Sequence, residues 1–252
     1  MSDASPGATW QRPELVGTFL SERTTLMPLL DVQEDLVRRL LTRHPHAVRR
    51  FLDVGSGDGA MSELVLSRHP QPEAVLVDFS PPMLERAERR LAGVDARWQI
   101  VRGDLSEPTW AGALPAGSYD AAVSGFAIHH LPAARKRALF GELYELLEPG
   151  AMFVNMDYVA IEGPLRGLWD DEMLANAVRA ERERGGSRSE SELEELFDDD
   201  EDDRPDSVED QLRWLSEAGF ADTEVHFKWA EAAVFGAIKP LAPSAPSDGA
   251  RV

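Results

Sequence analysis

The spacing of apolar residues changes along this chain, and each change marks an element. From Pro13 to His44 the period is helical, with Leu26, Leu29, Leu30, Leu36, Val37, Leu40 and Leu41 near one face. Pro28 and Pro45 punctuate the stretch, so the pattern predicts two helices, the second over Asp31–His44. The period then shortens. The run 48–54 ends in Gly55-Ser-Gly57-Asp-Gly59 and reads as a strand followed by a helix over 60–69. Further strands are expected at 74–78, 96–101, 119–124 and 151–158. Helices are expected at 81–91, with Ser80 as N-cap, and at 132–148, stopped by Pro149-Gly150. Strands alternating with helices at this spacing predict an α/β fold built on a parallel sheet covered on both faces.

The alternation breaks after Val159. Residues 164–184 read as a helical insertion and 185–205 as polar loop. Ser207 caps a helix running to Ala218, and two closely spaced strands, 224–229 and 232–238, predict an antiparallel hairpin. The expected organisation is a loose tail over 1–12, N-terminal helices over 13–44 and a main domain over 45–239. Within that domain, 160–206 forms an insertion, and a Pro/Ala/Ser-rich tail follows at 240–252. The run Asp198–Asp203 consists of six successive acids, so it is expected to be solvated and dispensable for the fold.

Composition narrows the function. The chain has 252 residues, with 26 Lys+Arg against 45 Asp+Glu and a net charge of −19. Nucleic-acid binding needs Lys or Arg at the phosphates, so this balance argues against it. With no cysteine, thiolate metal sites, disulfides and cysteine nucleophiles are excluded. Met1–Trp10 has no leader pattern and no apolar run reaches the ~20 residues of a membrane span, so a soluble cytoplasmic protein without a membrane partner is expected.

Three glycines in five residues between a strand and a helix let a ligand approach the main chain closely. Read through Ala60, the loop also matches a dinucleotide fingerprint. Asp53, two residues before Gly55, would repel a pyrophosphate and attract an ammonium group. Asp78 ends the second strand, where an acid can accept from both ribose hydroxyls.

Five stretches carry a resemblance. Leu52-Asp-Val-Gly-Ser-Gly-Asp-Gly59, Val77-Asp-Phe-Ser80 with Met83, Gly103-Asp104, Tyr119-Asp120 with His129-His130-Leu131, and Leu147-Glu-Pro-Gly150 resemble, in order, the motifs of class I S-adenosylmethionine-dependent methyltransferases. The resemblance covers roughly residues 45–160. It implies a Rossmann-like, doubly wound seven-stranded sheet ending in the hairpin, S-adenosyl-L-methionine as cofactor, and roles for named residues. Asp53 would meet the ammonium and the main chain of Gly55, Ser56, Gly57 and Gly59 the methionine part. Asp78 would hold the ribose, with Phe79 and Met83 near the adenine. Gly103 and Asp104, with Leu105, would bound the adenine amine, and Ser124, Gly125 and Phe126 would line the methionine side.

An oxygen or nitrogen acceptor must lose a proton as the methyl arrives, so His129 or His130 is expected as general base, with Asp157 and Tyr158 at the same edge. No metal ligand set stands out. Trp10, Phe19, Met27, Leu168, Trp169 and Met173 are expected to roof a pocket for a small, partly apolar acceptor. Other readings remain at this level. They are an enzyme that remodels the sulfonium donor, with Arg23 over it, a non-catalytic cofactor-binding regulator, and an NAD(P) oxidoreductase, which Asp53 disfavours.

Overall fold

A computed structural model describes residues 9–11, 27–69, 71–198 and 203–242. The expectations for the first helix near 13–26, for Phe19 and Arg23, and for most of both tails lie outside these residues. The elements are α1 (Leu30–Thr42), β1 (Arg50–Val54), α2 (Ala60–Leu66), β2 (Glu73–Asp78), α3 (Pro81–Leu91), β3 (Trp98–Arg102), β4 (Tyr119–Gly125), α4 (Ala133–Leu146), β5 (Leu147–Tyr158), α5 (Arg166–Glu183), α6 (Glu190–Asp198), α7 (Val208–Ala218), β6 (Ala221–Trp229) and β7 (Ala232–Ile238).

The strands form one seven-stranded sheet in the order β3-β2-β1-β4-β5-β7-β6. Strands β1 to β5 pair in parallel, and β7 inserts antiparallel between β5 and β6. The order reverses at β1 and β4, so a crevice opens at their carboxyl ends, where doubly wound sheets bind ligands. Alternate strand residues feed two cores. Leu52, Val75, Ala122 and Phe153 pack with α4 and α7 on one face. Phe51, Leu76, Val123 and Val154 pack with α1, α2 and α3 on the other. Both faces being covered explains why β1, β2 and β4 read as apolar runs rather than as alternating strands.

Three elements differ most from the sequence expectation. Helix α4 stops at Leu146 and β5 starts at once, because Leu147 already pairs with Tyr119. The next pair is Ala121 with Met152, so Glu148-Pro149-Gly150 bulges out of the ladder rather than ending a helix. Residues 190–198, expected as loop, form α6. The backbone N–H of Ser189 donates to Glu192 Oε2 at 2.8 Å and Ser189 Oγ accepts from Glu192 N at 3.3 Å, a capping box that the Ser189-x-x-Glu192 spacing carries in the sequence. Strand β6 begins at Ala221, with bulges before Glu224 and before Phe227.

Ser207 Oγ accepts from Asp210 N at 3.2 Å, so the residue expected to start α7 does so. The segment leading into α7 is pinned. Arg204 N donates to His129 O at 3.1 Å and Ala160 N to Asp206 O at 3.1 Å. The fully buried Lys136 donates to Asp206 Oδ2 at 2.7 Å and to Arg204 O. This segment follows directly on the acidic run, so that run's last residue is not the free charge its composition suggested.

Candidate active site

A cavity of about 450 Å³ opens over the carboxyl ends of β1, β2 and β4. Its size suits a small-molecule site. Asp53, Gly55, Ser56, Gly57, Asp78, Phe79, Met83, Asp104, Leu105, Gly125 and Phe126 all line it. These were expected together from positions scattered over 74 residues of sequence, and the fold brings them to one crevice.

The loop after β1 needs glycine at its first position. Gly55 has φ 66°, and a Cβ there would lie 2.4 Å from Ala127 Cβ. The loop is tied to β2 by Asp78. Its Oδ2 accepts from Gly57 N at 2.9 Å and its Oδ1 from Ser80 N at 2.8 Å. Burial pushes the Asp78 carboxyl up from the usual range, and these backbone donors oppose the shift. Each oxygen keeps a further lone pair for a ligand hydroxyl.

Asp53 is fully buried. Its Oδ2 accepts from Ser62 Oγ at 2.6 Å, and its Oδ1 has no hydrogen-bond partner among the described residues. Burial pushes its carboxyl up to about 7; the Ser62 bonds pull in the opposite direction, and the neighbouring charges of Asp78 and Asp58 push it further up. A buried carboxylate oxygen facing a cavity without a donor suits a cation with N–H bonds to give. Asp104 is exposed at the rim, where its Oδ1 accepts from Ser106 N at 2.9 Å.

Four expected site residues stand elsewhere. Ser124 Oγ donates to Val54 O at 2.7 Å inside the sheet, so it braces β1 against β4 and does not line the cavity. A Cβ on Gly103 would meet Val77 Cγ2 at 2.8 Å and Trp110 O at 3.0 Å, so that glycine admits the turn around Trp110. Gly59, at φ 77°, precedes α2 against Ala87. His129 is 3% exposed and does not reach the cavity.

His129 is also unsuited to act as a free base. Its Nδ1 contacts Asp157 Oδ1, its Nε2 lies 3.0 Å from Asp203 Oδ1, and its backbone N–H donates to Asp157 Oδ2 at 3.0 Å. Burial alone would lower the imidazole pKa. The charge of Asp157, and hydrogen bonds to Asp157 and Asp203, outweigh burial and push it up to about 10. At neutral pH this ring carries its proton already. His130 does line the cavity, with its ring 5.2 Å from that of Trp10 and its Nδ1 3.1 Å from Asp203 Oδ1.

Of the expected roof, Trp10 and Met27 line the cavity. Ser80 Oγ donates to Trp10 O, which holds the N-terminal turn across the crevice mouth. The insertion residues do not reach the cavity. Leu168 is 53% exposed, Trp169 packs edge-on against Trp229, and Met173 is buried in α5. Several lining residues had no sequence signal, Arg204 and Met156 among them. Arg204 comes from the segment before α7, and Met156 from the interior run of β5.

This arrangement of sheet, glycine loop and strand-end acids defines the class. Residues 51–150 match the family described as a methyltransferase domain. A demethylmenaquinone methyltransferase of Thermus thermophilus is 36% identical over 112 residues, which is 44% of this chain and 48% of that protein. The chain thus spans about half the length of that relative. A carboxy-S-adenosyl-L-methionine synthase of Chromohalobacter salexigens is 28% identical over 203 residues, covering 78% of this chain and 71% of that protein. Among solved structures, human N-acetylserotonin methyltransferase in complex with S-adenosylmethionine superposes with a TM-score of 0.61 at 16% identity, over 93% of this chain and 58% of that one. An O-methyltransferase family protein from Burkholderia thailandensis gives 0.64 at 15% identity, over 95% and 64%. These likenesses place the fold. Among the described residues, no helix is long and apolar enough to cross a membrane.

Proposed function

We propose that this protein transfers a methyl group from S-adenosylmethionine to a small-molecule acceptor. The observation that carries the reading is the pairing of two buried strand-end acids in one cavity. Asp53 offers an oxygen without a donor, and Asp78 holds the glycine loop while keeping lone pairs free. Asp53 would take the ammonium, the main chain of Gly55 to Gly57 the methionine part, and Asp78 the ribose hydroxyls. Phe79 and Met83 would flank the adenine, Asp104 would meet its amine with Leu105 beside it, and Gly125 and Phe126 would close the methionine side. When bound, the cofactor supplies a methyl group on a positively charged sulfur, already activated for displacement.

The chain's own contribution is largely positioning, because an activated methyl needs an aligned nucleophile more than a strong one. Trp10 and Met27 would exclude water from above. The acceptor's proton would be handled at the end of the cavity bounded by His130 and Arg204. Residues 45–239 would form the catalytic domain, with the N-terminal segment acting as its lid. A net charge of −19 favours a small acceptor over a nucleic acid.

A second reading has a specific support. The carboxy-S-adenosyl-L-methionine synthase matches more of this chain than the methyltransferase of Thermus thermophilus does, and Arg204 borders the cavity where a donor carboxylate could be met. One experiment separates the two. The protein is incubated with S-adenosylmethionine and an acceptor panel, and the adenosyl products are weighed by mass spectrometry. Acceptor-dependent S-adenosylhomocysteine supports methyl transfer. A heavier adenosyl sulfonium supports donor remodelling and overturns the first reading.

A further inference from the structure

His129, His130 and Asp203 meet at a single point beside the cavity. The nitrogens His129 Nε2 and His130 Nδ1 lie 3.0 and 3.1 Å from the same oxygen, Asp203 Oδ1. The three ligand atoms are all within 4.8 Å of one another. From this geometry we propose a site for a divalent transition-metal ion, held by His129, His130 and Asp203 beside the cavity.

The distances suit an ion as well as hydrogen bonds, because ligands at right angles on a metal with bonds of about 2.1 Å stand about 3.0 Å apart. His130 Nδ1 is buried and lies 3.1 Å from Asp203 Oδ1, with no other partner among the described residues. A lone pair aimed at the cluster is what a ligand requires.

The surroundings orient each donor. His129 Nδ1 contacts Asp157 Oδ1, which orients the ring with Nε2 toward Asp203. Asp157 is itself held, because its Oδ2 accepts from His129 N at 3.0 Å and Asn155 Nδ2 at 3.2 Å, and its Oδ1 from Tyr158 N at 3.0 Å. Asp203 is carried by the segment that Lys136, His129 O and Ala160 N fasten at Arg204 and Asp206. A bound ion would displace the proton that His129 Nε2 shares with Asp203, and the carboxylates of Asp157 and Asp203 would then balance its double positive charge. The imidazoles select a borderline ion such as zinc, iron(II) or cobalt(II) over magnesium or calcium.

Three protein ligands leave coordination positions open, and His130 and Arg204, the chain neighbour of Asp203, both line the cavity. The ion would polarise an acceptor hydroxyl and favour loss of its proton to solvent as the methyl arrives. This step alone rests on the methyltransferase reading; the metal site does not.

The test is therefore made without cofactor or acceptor. Tag-free protein is stripped with a chelator and titrated with cobalt(II), following the visible absorption of the bound ion and the heat of binding. One ion per chain is expected. His130→Ala and Asp203→Ala are expected to weaken binding by at least about tenfold, with circular dichroism unchanged. Asp157 is a positioning residue, so Asp157→Asn should weaken affinity by about 10–100-fold while leaving one ion per chain and the ligand-field spectrum of an intact ligand set. Absence of stoichiometric binding overturns the proposal. So does wild-type affinity in His130→Ala, or loss of binding on replacing His44 and His46, whose rings lie 5.6 Å apart elsewhere on the surface.

Discussion

Asp53 and Ser62 are joined by a 2.6 Å hydrogen bond from the Ser62 hydroxyl to Asp53 Oδ2, which leaves Oδ1 buried and open to the cavity. The bond fixes the carboxylate's orientation, and burial raises its pKa to about 7. The sign follows from linkage. Between the ordinary carboxylate value and about 7 the folded protein holds a proton that the unfolded chain releases. Without ligand, this group's contribution to stability therefore falls as pH rises across that window. An ammonium ligand reverses the preference, since it binds the ionised acid. Affinity for S-adenosylhomocysteine is expected to rise about tenfold per pH unit below 7 and then level off. Asp53→Asn is expected to flatten that slope and weaken binding, as measured by calorimetry from pH 5 to 8.

Gly55 sits at φ 66° with Ala127 Cβ 2.4 Å from the position of a side-chain carbon. Gly55→Ala introduces both strain and overlap. A loss of about 1–3 kcal/mol is expected from the backbone alone. Thermal denaturation should show a fall of several degrees, and S-adenosylhomocysteine binding should be lost with the loop's shape. An unchanged melting temperature would show that the loop relaxes freely.

Lys136 has no exposed surface and gives its ammonium to Asp206 and to the carbonyl of Arg204. Lys136→Met keeps the packing but leaves a half-buried acceptor pair without its donor. A loss of about 1–3 kcal/mol is expected, read as a lower melting temperature. Replacing the exposed Arg49, whose ion pair with Asp120 spans 3.3 Å at the surface, should change the melting temperature little.

Much of this site was legible in the sequence because strand-end acids and a glycine loop have fixed positions in a parallel sheet. Asp53 and Asp78 follow runs whose period marks them as strands, and the loop between β1 and α2 can only lie at their carboxyl ends. The histidines could not be separated in the same way. His129 and His130 are adjacent in the chain, and a short 3₁₀ turn over Ile128–His130 sends one ring inward to Asp157 and the other to the cavity. Composition misled at Asp203. Five acids precede it, and nothing local distinguishes the one that reaches His129 across 74 residues. Ser124 was placed on the methionine side by the resemblance alone, whereas its strand position aims its hydroxyl at Val54 O.

The direct measurement of the central claim is calorimetric titration of S-adenosylhomocysteine into the wild-type protein and into Asp78→Ala, with NADH as the competing ligand class. Charged hydrogen bonds of the kind Asp78 offers contribute about 1.5–3 kcal/mol each. The wild-type protein is expected to bind one S-adenosylhomocysteine per chain and no NADH. Asp78→Ala is expected to bind it at least about tenfold more weakly while still melting cooperatively. No binding to the wild-type protein, or equal affinity in a folded Asp78→Ala, would contradict the account.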